Sequence, residues 1–143
     1  MTAHSSARRH HPTPDKDQIA LLEPFERLGT DRIALISTPT QADKACDALA
    51  AASAWGFDTE SKPTFVQGEV SDGPHIVQLA TLDHAWVFQL HDPGCRVRVA
   101  ELLALRGVTK AGFGLGDDTK RIQNKLGVQP ADVLELNTVF RQR

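Results

Sequence analysis

Cysteine is scarce in this chain: only Cys46 and Cys95 occur, and their separation fits neither a redox pair nor a metal-ligand spacing. That excludes thioredoxin-like and zinc-ribbon chemistry and leaves two free, buried thiols, so a reducing, cytoplasmic location is expected. Long apolar runs are missing as well. None approaches the ~20 residues of a membrane span, and the N-terminus lacks a signal-peptide core. Nor is there an excess of basic charge: the formal net charge of −2 argues against strong non-specific attraction to nucleic acid. What is present is ordinary globular material. A chain of 143 residues with 41% hydrophobic and 24% charged content can fill one core but not two, and no internal repeat divides it.

Residues 1–17 are polar, hold His4, His10, His11, Arg8, Arg9 and two prolines, and read as a disordered tail ahead of a domain over 18–143. Across 18–28, Ile19, Leu22 and Phe25 keep helical spacing despite Pro24. A first strand is expected over 32–37 and an alanine-rich helix over 40–53, capped by Thr40 or Ser37. Strands follow over 55–60, 76–82 and 85–90, the last two joined by a tight hairpin at Asp83 and His84. A crossover helix over 96–105 then leads to a strand over 109–113, expected to lie beside the strand over 55–60. Trp55 and Trp86 read as core residues, and His75 and His84 as residues flanking turns.

The run Trp55-Gly56-Phe57-Asp58-Thr59-Glu60 places two carboxylates two residues apart. In a strand that spacing sends Asp58 and Glu60 to one face, with Cα atoms roughly 6.5 Å apart, and Phe57 and Thr59 to the other. Two like charges that close repel, and a divalent cation between them reverses the repulsion with the oxygen ligands that Mg²⁺ and Mn²⁺ prefer. The same pair also fits a solvated edge strand, so a second motif has to decide.

That motif is the stretch from Lys110 to Gly127, which reads as a strand end, a glycine turn and a short helix. Asp117 is expected as the N-cap, Asp118 in the first turn and Gly127 as the left-handed residue that ends the helix. Ile122 and Leu126 share a face, and the same spacing carried backwards lands on Asp118. An acid at the head of an apolar stripe needs hydrogen-bond donors or a metal. A dinucleotide fingerprint is rejected, because Gly112-x-Gly114-x-x-Asp117 puts an acid where the third glycine belongs and negative charge where a pyrophosphate would bind. A phosphatase of the haloacid dehalogenase kind is also a poor fit, since Glu60 stands where a second Asp is needed.

Together the two segments resemble the 3′ to 5′ exonuclease domain of the DEDD superfamily, as found in the Werner-syndrome helicase and in RNase D. The resemblance spans about residues 30–140. Phe57-Asp58-Thr59-Glu60 is similar to the first motif, Ile76-Val77-Gln78-Leu79-Ala80 to the strand after it, and Lys110 to Ile122 to the second motif, with Asp118 and not Asp117 in the acidic position. The third motif, a Tyr or His followed four residues later by Asp, has no counterpart downstream of Asp118. The chain has no tyrosine, and His91, the last histidine, lies upstream and is followed at that distance by Cys95. The expectation is therefore a chain that is either a C-terminally truncated domain or one that has lost a metal ligand, weak or inactive by itself.

What the resemblance implies is a ribonuclease H-like α/β fold, a mixed sheet of three antiparallel strands plus parallel strands, with helices on both faces and an incomplete C-terminus. It implies metal-dependent removal of nucleotides from the 3′ end of DNA or RNA. Asp58 would bridge two Mg²⁺ or Mn²⁺ ions, Glu60 would help hold the ion that activates water, and Asp118 would support the second ion. The net charge of −2 does not exclude this, because bound cations would neutralise the acidic site. Thr59, Lys62 and Phe65 are the candidate substrate contacts: Lys62 for a phosphate and Phe65 for stacking on a base. The alternative is a catalytically incomplete ribonuclease H-like module that binds nucleic acid or protein.

Overall fold

Alternation decides the architecture. Along the central strand every second side chain is buried, Trp55, Phe57 and Thr59, while Gly56, Asp58 and Glu60 are exposed, so one face of the sheet is covered and the other open. A computed structural model describes residues 11–141. In chain order the elements are β1 (His11–Pro12), α1 (Lys16–Ala20), β2 (Ile33–Ile36), α2 (Pro39–Ala50), β3 (Ala54–Glu60), β4 (Ile76–Ala80), β5 (Ala85–Gln89), α3 (Pro93–Ala104), β6 (Thr109–Gly112), α4 (Leu115–Leu126), β7 (Val133–Glu135) and β8 (Phe140–Arg141).

Six strands form one mixed sheet in the order β2-β5-β4-β3-β6-β7. β3, β4 and β5 are antiparallel neighbours, and β2, β6 and β7 extend them in parallel on either side. The expected mixed sheet is present, with the strand over 109–112 beside β3. The helices differ from expectation in one respect: α2, α3 and α4 all send their buried residues into the same cluster as Trp55, Phe57, Val77, Leu79 and Phe88, so they cover one face. On the other face Leu35 remains 59% exposed and Ile33 42%. No helix among the described residues is long and apolar enough to cross a membrane.

Helix starts fall earlier than the apolar periodicity indicates, because proline opens two of them. Pro39 and Pro93 occupy first-turn positions where the missing N–H is no loss, and Thr38 and Asp92 cap the turns by accepting from Gln41 N (3.2 Å) and Cys95 N (2.8 Å). The capping group of α2 is thus Thr38, not Thr40 or Ser37. The helical spacing over 18–28 yields only α1, five residues in a capping box made by Asp15 and Gln18. Pro24 disfavours helical geometry at the residue before it, and Leu22 and Phe25 stay exposed with no partner face. Of the tail expected to be disordered, residues 1–10 lie outside the described residues. The expectation does not hold for 11–17: His11–Pro12 pairs with β8, and α1 begins at Lys16. Both cysteines are free, and burial pushes the Cys95 thiol up to about 11, which keeps it unreactive.

Candidate active site

Register places the acids. Asp58 lies opposite Gln78 on β4, which lies opposite Val87 on β5, and Glu60 heads the neighbouring row through Ile76 to Gln89. Both carboxylates are exposed on the open face. Asp58 also accepts from the backbone N–H of Thr59 at 2.9 Å, which fixes one of its oxygens. Beside it a shallow groove of about 390 Å³ runs over Gly56, Gln78, Val87, Ala111 and Phe113. The floor is apolar, and Asp58 and Gln78 are its polar groups.

Asp118 reaches β3 from the other side. The helix stripe through Ile122 and Leu126 turns the half-buried Asp118 toward the covered face, where the Thr59 hydroxyl donates to Asp118 Oδ1. Thr59 itself is 8% exposed. Its side chain points away from Asp58 and Glu60, so as a substrate contact it is corrected: it positions Asp118. The three acids therefore flank one strand, two on the open face and one behind it. Among the described residues no group of three or more His, Cys, Asp or Glu side chains is close enough to hold a metal. Asp58 and Glu60 still fit a hard cation that keeps most of its water, the usual way in which Mg²⁺ is bound by one or two carboxylates. They do not form a three-carboxylate cage.

The glycine turn explains how α4 comes so close. A Cβ at Gly112 would collide with the Phe57 carbonyl oxygen and with Leu115, so glycine is what lets the end of β6 close onto β3. Gly114 is left-handed (φ 67°) and serves as N-cap, which starts the helix at Leu115 and corrects the expected cap at Asp117. Gly127 ends the helix in the left-handed conformation, as anticipated (φ 70°). The N-terminal N–H groups are satisfied from afar: Gly114 N and Leu115 N donate to the two carboxylate oxygens of Glu135, each at 3.0 Å. A carboxylate at that end also meets the helix dipole favourably. Sequence reasoning missed this residue, because only the β6–β7 pairing, Gly112 opposite Glu135, brings it there. With Glu135, Asp117 and Asp118 at this end, a phosphate has no place at the helix N-terminus.

The long connection after β3 is closed at its base. His75 N donates to Glu60 O, Lys62 N donates to His75 Nδ1, and His75 Nε2 pairs with Asp72 Oδ1, each at 2.9 Å. His75 is a clamp for this loop, and that hydrogen bond lowers the Asp72 carboxyl below its ordinary range. Arg121 Nη1 donates to Ser61 Oγ at 3.2 Å and ties α4 to the same base. Phe65, at the tip, is 90% exposed and free to stack, whereas Lys62 stands at the base.

No protein-family model matches the chain, and no curated protein does. Solved structures do. The chain is similar to the EXO domain of Aedes aegypti Nibbler, at 21% identity and a TM-score of 0.68, covering 81% of this chain and 58% of that one. It is similar to Trypanosoma brucei RNase D in complex with RNA U12, at 22% identity and a TM-score of 0.65, covering 73% and 37%. It is also similar to the EXD2 exonuclease domain, at 17% identity and a TM-score of 0.64, covering 75% and 57%; that domain has been soaked with Mn and GMP and with Mg and GMP. The chain spans less than two thirds of the length of these structures. Its six-stranded mixed sheet with flanking helices is the ribonuclease H-like fold of these exonuclease domains.

Proposed function

We propose that the chain is a metal-dependent 3′ to 5′ exonuclease domain acting on single-stranded or 3′-ended DNA or RNA. The observation that carries this reading is the placement of Asp58 and Glu60, side by side on the open face of β3 and beside the Gln78 groove, in a fold shared with exonuclease domains. These two carboxylates would hold Mg²⁺ or Mn²⁺, and the bound ion would supply an acidified water and positive charge for the leaving 3′ oxygen. Asp118, fixed by Thr59 behind β3, would support the site indirectly through that strand and not as a direct ligand. Phe65 stacks on a terminal base. The nuclease-like domain, expected over 18–143, extends ahead of that start to the paired His11–Pro12, in a reducing, cytoplasmic compartment suited to its two free thiols.

A second reading is favoured by the absence of a three-carboxylate cluster among the described residues: a ribonuclease H-like module that binds nucleic acid or protein without cutting. A 5′-labelled single strand incubated with the chain separates the two. The nuclease reading expects a slow, Mn²⁺-dependent ladder that shortens from the 3′ end and disappears in Asp58→Ala. Intact substrate at high enzyme and Mn²⁺ concentration selects the binding module.

A further inference from the structure

At the edge of the sheet, just past Glu60, three cations converge on a concavity of about 370 Å³: Lys62 from the loop after β3, Arg96 from α3 and Lys125 from α4. His75 and His91 also line it, and Asp72 is its one carboxylate. Asp72 is engaged with His75 at 2.9 Å, and Lys125 adds to the pull on its proton. None of the three cations has an ion-pair partner among the described residues. Arg96 is held in place, since Nη1 donates to Leu90 O at 2.8 Å and His91 O at 3.3 Å, and the other guanidinium N–H groups remain to serve a ligand.

Like charges gathered in a cleft repel one another, and in a chain of net charge −2 their convergence focuses a local positive field. An anion relieves the repulsion. Gln89, which also lines the cleft, closes the row Glu60–Ile76–Gln89. Two strand spacings, about 10 Å, therefore separate this rim from the acidic residue. We infer that the cleft is a phosphate site, occupied by a backbone phosphate of a nucleic-acid strand whose neighbouring nucleotide lies over Asp58 and Glu60. This rests on the nucleic-acid reading given above, and it assigns Arg96 and Lys125, on two helices remote from the acidic motifs, to strand binding.

The test measures binding of a short fluorescent oligothymidylate to the full chain by anisotropy in EDTA, across a range of salt. Without divalent ion the result is independent of metal binding and cleavage. The double variant Lys62→Gln/Lys125→Gln removes two exposed or half-exposed charges and leaves the Arg96 anchor intact. Its affinity should fall about tenfold, and the slope of log affinity against log salt should decrease by about 1.4, two contacts at ~0.7 each for single strands. Lys16→Gln/Lys44→Gln changes net charge equally at exposed positions elsewhere and should leave both quantities near wild type. Equal weakening in the two double variants, or none in either, overturns the site. Inorganic phosphate, titrated at constant ionic strength, should shift the His75 and Arg96 signals of the wild type and not of Lys62→Gln/Lys125→Gln. Such shifts without any change in oligothymidylate affinity would make this a free-phosphate site and overturn the strand assignment.

Discussion

Thr59 sits between two acids in sequence and serves a third in space. Its hydroxyl is the donor the structure gives to the half-buried Asp118, so Thr59→Val should leave a carboxylate unsatisfied against the covered face. The expected loss is about 1–3 kcal/mol of stability in urea unfolding, and Thr59→Ser should recover most of it. The two neighbouring acids of α4 should behave differently. Asp118→Asn keeps an oxygen that can accept from Thr59, so the fold survives while metal-dependent cleavage falls; Asp117, exposed and no longer needed as a cap, should tolerate Asn with little change in either. Comparing the melting curves and cleavage rates of the two variants checks this register. Asp58, Glu60 and the stripe position of Asp118 were legible in the sequence because both periodicities are local. The direction of Thr59 was legible too, but its partner was not, since that depends on where α4 docks.

The helix that docks behind β3, α4, owes its position to groups just before it in sequence and to one well beyond it. Gly112 permits the approach, Gly114 turns the chain, and Glu135 satisfies the first N–H groups from twenty residues downstream. Glu135→Ala should therefore cost about 0.5–2 kcal/mol, the usual loss for a removed N-cap, with Glu135→Gln intermediate because one oxygen remains; chemical denaturation of the three proteins measures it. Nearby caps such as Gly127 could be read from sequence. A cap supplied by a paired strand could not, and Asp117 was the nearest local substitute. The proline-opened starts of α2 and α3 show the same limit on a smaller scale, since apolar periodicity marks the buried stretch of a helix and not its first turn.

For the whole molecule, the covered face contains one deliberate irregularity. Lys110 is fully buried, lies over the Trp55 ring at 5.4 Å from its centroid and donates to Leu105 O. Burial lowers its pKa below the ordinary 10.5, with Asp132 opposing the shift. Between the lowered folded value and 10.5 the unfolded chain binds more protons, so stability should rise with pH through that window and be lost again as pH falls through the folded value. Lys110→Met should flatten this dependence, as urea unfolding in a series of alkaline buffers would show. The opposite face carries Asp58 and Glu60, the pair proposed as the cation site. Its apolar residues, Leu35 and Val87 in the row of Asp58 and Gln78, lack the cover that the helices give the other side. The hairpin of β4 and β5 and the place of β6 beside β3 followed from the strand pattern, whereas the full strand order and the gathering of all three long helices on one face are properties of packing that no single segment encodes.

The central claim is that the open-face pair on β3 is a divalent-cation site, and paramagnetic broadening by Mn²⁺ addresses it directly. Titrated into the full chain, Mn²⁺ should bind weakly, as two carboxylates without a third ligand require. Amide signals of Asp58, Thr59 and Glu60 and of Gln78 across the strand should broaden first, and Asp58→Ala should abolish the effect. Broadening that is the same in wild type and Asp58→Ala, or that centres elsewhere on the chain, would contradict the account.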